Sequence, residues 1–377
     1  MVQRHIYKDI KKYLFAGKTL IIFGARQVGK TTLVNEIKKD YKDSSLILNG
    51  DDFDVRSLFE NINHTRLKPI LKNIKLCIVD EAQRIPNSGL ALKIIHDNFP
   101  KTQCIATGSS AFEIADKIQE TMTGRKIDFF LYPFSFSEMV QHHGFLEEKR
   151  LLNHRLIYGY YPDIVLQSGR EKKYLKSLTS SYLYKDLLSL ESIRKPELLE
   201  KLLKALALQI GQEVNYNEIA QLIGTNKNTV EKYINLLEKN YIIFRINAFS
   251  RNVRNEIKKG RKIYFHDNGI RNAIIDNYQI FENRNDIGAL WENFLISERK
   301  KNINNYDLNC KEYFWRTTQR QEIDYIEQED SGELKAFEFK WNSNKRVSAP
   351  KTFINGYPNT TFEVISPDNM DTFLLNN

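Results

Sequence analysis

The 377-residue sequence has few cysteines and no long apolar run. Its three cysteines, Cys77, Cys104 and Cys310, are an odd number at scattered positions without a C-x-x-C pair. This spacing argues against a disulfide framework and against a zinc site. No apolar stretch approaches the roughly 20 residues that cross a bilayer, and residues 1–5 are followed by a charged helix pattern rather than by the apolar region of a signal peptide. We therefore predict no membrane partner and a cytoplasmic location.

Acidic residues are outnumbered by basic ones, and the difference is concentrated in one segment. The formal net charge is +9. Residues 227–262 hold ten lysines and arginines but only three glutamates, so this segment carries +7. Clustered positive charge is typical of proteins that bind an acidic partner, most commonly nucleic acid. The sequence therefore predicts a nucleic-acid partner, with DNA as the first choice.

The strongest motif lies where an apolar strand pattern runs through a turn into a helix. Residues 24–31 read Gly-Ala-Arg-Gln-Val-Gly-Lys-Thr and match the phosphate-loop pattern G-x-x-x-x-G-K-[ST]. Glycines at both ends permit backbone angles that let N–H groups curl around a phosphate at a helix N-terminus. The alternative is a strand-to-helix turn that binds nothing. The predicted nucleotide-binding residues are Gly24, Ala25, Arg26, Gln27, Val28, Gly29, Lys30, Thr31 and Thr32.

A second strand pattern, at residues 74–81, ends in two carboxylates. With the phosphate loop, it predicts a site for a nucleoside triphosphate and Mg²⁺. Lys30 is expected to reach the β- and γ-phosphates, and Thr31 and Asp80 to hold the metal. Glu81 is expected to polarise the attacking water.

Three further residues are candidates for contact with the γ-phosphate. Ser109 and Ser110 follow a strand pattern at residues 103–107 and are placed to sense this phosphate, although capping of a following helix is an equal alternative. Arg125 precedes a strand pattern at residues 126–132. It is a candidate arginine finger, acting within the chain or from a second copy in a homo-oligomer, and the alternative is a surface charge.

The phosphate loop, Val-Asp-Glu-Ala-Gln at 79–83, Thr-Gly-Ser-Ser at 107–110 and Leu-Tyr-Pro-Phe-Ser-Phe at 131–136 resemble the bacterial and archaeal AAA-type ATPases that carry a C-terminal domain of unknown function. The resemblance covers nearly the whole chain. It implies an α/β fold with an AAA-like P-loop core whose parallel strands follow the order 5-1-4-3-2, with ATP and Mg²⁺ as cofactors. The absence of an N-K-x-D tetrapeptide at a suitable strand end also favours ATP over GTP.

Three parts are predicted to follow this core, which covers residues 1–140. Residues 141–208 show helical spacing of apolar residues and are interpreted as a helical connector. Residues 209–270 contain two short helices joined at Gly224, a strand, a basic loop and a returning strand, which is the pattern of a winged helix. Residues 271–377 are interpreted as a restriction-endonuclease-like α/β domain.

A winged helix that reads DNA places its second helix in the major groove and its wing on the backbone. The alternative is that the winged helix serves as a lid or docks a protein. The predicted nucleic-acid contacts are Lys227, Asn228, Lys232, Lys258, Lys259, Arg261 and Lys262.

The C-terminal part contains Asp324 followed by an E-x-K pattern at Glu338 and Lys340. Period-2 spacing puts Glu338 and Lys340 on one face of a strand, where Asp324 from the neighbouring strand can join them. With Glu292 on the preceding helix, the set resembles the PD-(D/E)XK nuclease superfamily. The resemblance implies a Mg²⁺ site at Asp324 and Glu338, with Lys340 acting on water or phosphate. Many such folds are inactive binding modules, so cleavage stays open.

Two functions fit these patterns. The first is a nucleotide-gated enzyme that acts on DNA. The second is an ATP-driven conformational switch that docks a protein partner through an inactive nuclease-like module.

Overall fold

The structure of the chain is a computed structural model that describes residues 1–109, 121–180, 195–250, 260–343 and 347–375. These residues form two compact units, one of Met1–Pro133 with Lys239–Tyr241 and one of Phe134–Glu238 with Ile242–Asn377. Ser110, Lys258 and Lys259 lie outside the described residues. Within the part of the chain that is described, no helix is long and apolar enough to cross a membrane.

The first unit is built on a five-stranded sheet in the order β2-β3-β4-β1-β5, with every neighbouring pair parallel. The predicted strand order is therefore confirmed. The central strands are buried on both faces, which explains why their sequences read as continuous apolar runs rather than alternating patterns. The strands are β1 Thr19–Phe23, β2 Ser45–Asn49, β3 Leu76–Asp80, β4 Gln103–Gly108 and β5 Lys126–Phe130.

Apart from one helix that precedes β1, the described helices of the first unit connect consecutive strands along the chain, as expected for parallel strands that need crossover connections. Cys77 and Cys104 are buried in two of these strands, β3 and β4. The described helices are α1 Ile6–Tyr13, α2 Lys30–Lys38, α3 Phe53–Glu60, α4 His64–Leu71 and α5 Ser88–Asn98.

The second unit begins with the helices that were predicted as a connector. The first of them has a capping box, in which Ser135 and Glu138 satisfy each other's backbone N–H groups. These helices are α6 Phe136–His143, α7 Phe145–Arg150, α8 Leu152–Tyr158, α9 Pro162–Leu166, α10 Glu171–Leu178 and α11 Pro196–Leu208.

The next elements follow the order helix, strand, helix, helix, strand, strand. Gly224 ends the first helix of the central pair in the left-handed conformation (φ +74°), which a glycine adopts without strain. The elements are α11, β6 Glu213–Val214, α12 Tyr216–Ile223, α13 Lys227–Lys239, β7 Ile243–Ala248 and β8 Arg261–Phe265. Strand β8 pairs antiparallel with both β6 and β7.

A seven-stranded sheet in the order β12-β11-β10-β9-β7-β8-β6 runs through the second unit. Strand β9 lies parallel to β7, with Asn247 opposite Tyr313, so the sheet crosses the position near residue 270 where the sequence suggested a domain boundary. The remaining elements are α14 Asn268–Ile274, α15 Ile287–Asn305, β9 Cys310–Arg316, β10 Glu322–Glu329, β11 Leu334–Phe339, α16 Lys351–Gly356, β12 Thr360–Ile365 and α17 Met370–Leu374.

Candidate functional site

The phosphate-loop sequence forms the turn between β1 and α2. Gly29 precedes the helix with a φ of +96°, a conformation that favours glycine. Gly24 is not in that conformation, contrary to the expectation from sequence. It is needed because a Cβ at this position would lie 2.1 Å from the carbonyl oxygen of Leu131. The two fixed glycines of the motif therefore serve different purposes, one conformational and one steric.

Lys30 is buried at the start of α2, with 5% of its surface exposed. Its Nζ donates hydrogen bonds to the carbonyl oxygens of Gly24 (2.9 Å) and Ala25 (2.8 Å). Burial lowers the pKa of the Lys30 ammonium to about 8, although the carboxylates of Glu81 and Asp80 oppose that effect. The ammonium thus lies inside the loop, at the place where phosphate oxygens are expected to replace the carbonyls.

Arg4 supports the same loop from outside it. Its Nη1 donates to the carbonyl oxygen of Val28 at 2.9 Å, and its Nη2 donates to the carbonyl oxygen of Tyr132 at 2.6 Å. The sequence analysis missed this residue because no short motif connects position 4 with positions 28 and 132. Arg4 fixes the orientation of one loop peptide and adds a positive charge near it.

Asp80 ends β3 and is 5% exposed. Its Oδ2 accepts a hydrogen bond from Thr31 Oγ1 at 2.9 Å, and its Oδ1 accepts one from Thr107 Oγ1. A hydroxyl and a carboxylate in contact beside a phosphate loop are the hard oxygen ligands that Mg²⁺ prefers. These residues therefore fit the predicted metal, and Thr107 adds a member of the site that the sequence analysis missed.

Glu81 follows Asp80 with a φ of +50°, an uncommon conformation for a residue with a side chain. Its backbone N–H donates to Thr107 Oγ1 at 3.2 Å. The side-chain amide of Gln83 donates to Glu81 Oε2 and, at 2.9 Å, to Ser109 Oγ. Ser109 therefore lies beside Glu81, and its role as a phosphate sensor stays a prediction. Gln83, which holds both, was not predicted.

The structure contradicts a role of Arg125 as an arginine finger within its own chain. Lys126 lies opposite Thr19 in the β1–β5 pairing, so Arg125 lies where β1 begins. The phosphate loop follows Phe23 at the other end of β1, about 13 Å away for a five-residue strand. Arg125 instead pairs with Asp97 at 3.0 Å on an exposed surface.

In the second unit, the four residues predicted as a nuclease-like site come together. Asp324 lies in a β-bulge of β10, where two residues oppose one residue of β9, and bulges of this kind redirect side chains. Its Oδ2 accepts a hydrogen bond from the backbone N–H of Phe339 at 2.8 Å. Glu338 Oε1 accepts a hydrogen bond from Lys340 Nζ at 2.6 Å. Glu292 reaches the same cluster from α15.

Lys262 also enters this cluster, although the sequence analysis placed it among the nucleic-acid contacts. Its side chain is 1% exposed and pairs with Glu292 Oε1 at 3.0 Å and Glu322 Oε1 at 2.6 Å. A buried, paired lysine has no access to nucleic acid, so that prediction was wrong. Tyr264 completes the group by donating to Glu292 Oε1 at 2.6 Å.

In this cluster, burial and the neighbouring charges have opposing effects on each pKa. Burial raises the pKa of Glu292 to about 7, although Lys262 opposes this effect. Burial alone would lower the pKa of Lys262, but the carboxylates of Glu292, Asp324 and Glu322 outweigh it and hold the pKa above its ordinary value. Within the described residues, no three His, Cys, Asp or Glu side chains are placed to hold a metal ion.

The predicted nucleic-acid contacts on α13 are at the surface. Lys227, Asn228 and Lys232 are exposed, whereas Val230 and Ile234 on the other side of the helix are buried. Arg261 is half-buried, and its guanidinium lies over the ring of Tyr216 at 5.2 Å from the ring centre. The described part of the predicted surface is thus the exposed side of α13.

Three separate segments of the chain match protein families. Residues 16–140 match the model of a family described as AAA domain. Residues 149–279 and 287–369 match two families described as domains of unknown function, DUF8612 and DUF4143. Together with the strand order and the loop geometry, the first match decides the type of the first unit. Residues 16–140 form an AAA-type P-loop domain.

Relatives of this chain include two proteins described as uncharacterized. MJ1544 of Methanocaldococcus jannaschii is 25% identical over 266 residues, which are 65% of this chain and 60% of the relative. A protein of Haemophilus influenzae is 22% identical over 277 residues, 68% of each chain. The chain thus covers less than two thirds of the first relative's length.

A solved structure with a similar fold is the Walker-type ATPase paby2304 of Pyrococcus abyssi. It superposes with a TM-score of 0.51 over 73% of this chain and 96% of that chain, at 14% sequence identity. At this identity, the likeness supports the fold alone.

Binding of MgATP is expected to be coupled to uptake of a proton by Lys30. With a pKa of about 8, most of the free lysine is neutral at pH 9, and phosphate oxygens favour its charged form. We expect an uptake of about 0.9 proton per ATP at pH 9 and little at pH 7. Affinity should correspondingly fall as the pH rises above 8. Calorimetry in two buffers with different ionisation enthalpies measures this uptake.

Lys30→Arg is the control, because a guanidinium keeps its proton throughout this range. It is expected to bind nucleotide without proton uptake. An affinity of the wild-type chain that is constant from pH 7.5 to 9.5 would contradict the assignment of Lys30 to the phosphates.

Proposed function

We propose that this chain is a Mg²⁺-dependent ATPase. The observation that carries the proposal is the 2.9 Å hydrogen bond between Thr31 at the start of α2 and Asp80 at the end of β3. It brings the hydroxyl of the phosphate loop and the strand-end carboxylate to one point, next to the buried ammonium of Lys30. This arrangement suits a triphosphate with its metal better than a dinucleotide.

The protein groups have separate roles in the proposed hydrolysis. Lys30 and the loop N–H groups hold the phosphates and stabilise the charge that develops on them. Thr31 and Asp80 hold Mg²⁺, which when bound neutralises charge on the β- and γ-phosphate oxygens. Glu81 orients the attacking water and accepts its proton. Gln83 positions the Glu81 carboxylate by donating to it, and Ser109, which accepts from Gln83, lies 3.5 Å from Glu81 Oε2.

ATP turnover with and without Mg²⁺ tests this proposal. We expect release of phosphate that stops when the metal is chelated, together with an increase in melting temperature when MgATP is added. GTP serves as the competing nucleotide. A chain that is neither stabilised by MgATP nor able to release phosphate from it would refute the proposal.

We further infer that the elements from α11 to β8 form a winged helix that binds nucleic acid. The specific support is the exposed side of α13, where Lys227, Asn228 and Lys232 lie together. The neighbouring Asn226 is engaged within the protein, because its Oδ1 accepts hydrogen bonds from Thr229 N (3.0 Å) and Thr229 Oγ1 (3.2 Å). The exposed Lys227 and Lys232 are suited to phosphate contacts, and Asn228 is suited to contact with a base edge.

Replacement of Lys227 and Lys232 by alanine is expected to weaken DNA binding equally for all sequences. Each phosphate contact that is lost should reduce the slope of log K against log salt by about 0.9. Titration of labelled duplex DNA at several salt concentrations measures the slope. Lys173→Ala, which replaces an exposed lysine of α10 in the same unit, is the matched control.

A slope that the double variant leaves unchanged would contradict DNA binding through α13. ATP turnover that is indifferent to duplex, branched and single-stranded DNA would favour the alternative function, a switch that docks a protein partner.

We also infer that α15 and β9–β11 form a PD-(D/E)XK-like fold. The support is the order of elements, a helix carrying Glu292 followed by antiparallel strands on which Asp324 and Glu338 are brought together. The inference concerns the fold and the placement of these side chains.

A further inference from the structure

The carboxylate cluster already contains a positive charge that belongs to the protein. Lys262 extends from β8 into the cluster, and its ammonium pairs with Glu292 and Glu322 from two other elements, α15 and β10. Only 1% of this side chain is exposed. Its position is therefore fixed by packing and by the two carboxylates.

The donor set of the cluster is a poor fit for a divalent metal. Glu292 Oε1 accepts hydrogen bonds from both Lys262 and Tyr264. Asp324 Oδ2 accepts from the backbone N–H of Phe339, and Glu338 Oε1 accepts from Lys340. Each carboxylate thus has an oxygen engaged with a protein donor, whereas Mg²⁺ requires oxygens arranged around it at about 2.1 Å. The Lys262 ammonium, which pairs with Glu292 and Glu322, also repels a second cation.

We propose that Lys262 is the resident cation of this cluster and neutralises carboxylates that would otherwise be open to a divalent metal. The cluster then has a structural task, because a single side chain ties β8 to α15 and to β10. The domain does not cleave nucleic acid through a metal at these residues. Removal of Lys262 leaves the Glu292 carboxylate without its cation, and Glu292 with its neighbours Asp324 and Glu322 is then open to a divalent ion.

Binding of Mn²⁺ to the nucleotide-free full chain tests the proposal. Asp80→Asn is included in every protein, so that ions at the phosphate loop do not contribute. We expect this parent to show no Mn²⁺ binding at millimolar concentration by calorimetry. Adding Lys262→Met, which is close to lysine in shape but has no charge, should make Mn²⁺ binding detectable, with an affinity at least about tenfold tighter than the millimolar limit set for the parent.

Two controls locate the new binding. Adding Glu292→Gln to Lys262→Met should abolish it. Lys301→Met removes another buried lysine, one that pairs with Glu298 at 2.5 Å. It should not create the binding, because among the described residues a single carboxylate contacts that ammonium. Unchanged binding in the Lys262→Met protein would overturn the proposal.

If Lys262→Met does not fold, the proposal is tested on the parent protein, which carries Asp80→Asn alone. Mn²⁺ binding to the parent that Glu292→Gln abolishes would overturn the proposal, and absence of binding would support it. Cleavage of supercoiled plasmid provides a second readout. Metal-dependent nicking by the wild-type chain that Lys340→Ala abolishes would likewise overturn it, and we expect no nicking.

Discussion

Glu81→Gln is expected to lower ATP turnover by about 10²- to 10⁴-fold while nucleotide binding is retained. The amide keeps the size of the side chain but cannot accept a proton from water. Lys30, Thr31 and Asp80 are untouched, so the increase in melting temperature with MgATP should stay close to that of the wild-type chain. Phosphate release under saturating ATP and thermal unfolding with and without MgATP measure the two quantities separately.

Glu36→Gln is the matched control for this prediction. Glu36 lies on α2 in the same unit, where it pairs with Lys39 at the surface. Its replacement should change turnover by less than about twofold, since an exposed pair contributes little. Turnover of Glu81→Gln close to the wild-type rate would remove Glu81 from the reaction. Loss of MgATP binding would instead indicate a role in holding the nucleotide.

Arg155→Met is expected to cost about 3–5 kcal/mol of unfolding free energy, because it leaves a buried carboxylate without its cation. Arg155 Nε donates to Glu148 Oε1 at 3.0 Å, and both side chains are almost fully buried. Tyr160 also donates to Glu148 at 2.6 Å, and His143 lies at 2.7 Å. The hydroxyl and imidazole solvate the carboxylate but do not replace the guanidinium.

Urea unfolding followed by tryptophan fluorescence measures this cost. All three tryptophans, Trp291, Trp315 and Trp341, lie in the second unit, so the signal reports that unit selectively. Adding Glu148→Gln to Arg155→Met should recover part of the loss, since the amide can still accept from Tyr160 and carries no charge. A loss below about 1 kcal/mol for the single variant would show that the pair contributes little.

The phosphate loop and the parallel sheet were predictable because both depend on local patterns, whereas the order of the strands followed from the family resemblance. Fixed spacing places Gly29, Lys30 and Thr31 on a single turn, and alternation of apolar strands with helices leads to a parallel sheet. The pair Asp80 and Glu81 was found for the same reason, since it ends a strand that the apolar run makes visible. Its contact with Thr31 follows from the shared sheet edge.

Contacts between side chains on distant strands were not predictable in the same way. Thr107 and Gln83 both stand in motifs that carry the family resemblance, but their spacing did not indicate their contacts with Asp80 and Glu81. Lys262 was wrongly predicted as a nucleic-acid contact, because a sequence shows that a residue is charged but not whether it is buried. Its partners lie 30 and 60 positions away, at Glu292 and Glu322, and nothing in the spacing of a basic segment distinguishes a paired lysine from one at the surface.

The pairing of β7 with β9 has a consequence for any shortened form of the protein. In the full chain β7 lies between β8 and β9, and Phe249 N continues the ladder by donating to Phe314 O at 2.7 Å. A chain that ends before Cys310 would leave that side of β7 without a partner. Unpaired strand edges are templates for intermolecular pairing. The DNA-binding surface proposed on α13 would then be carried by a fragment prone to aggregation.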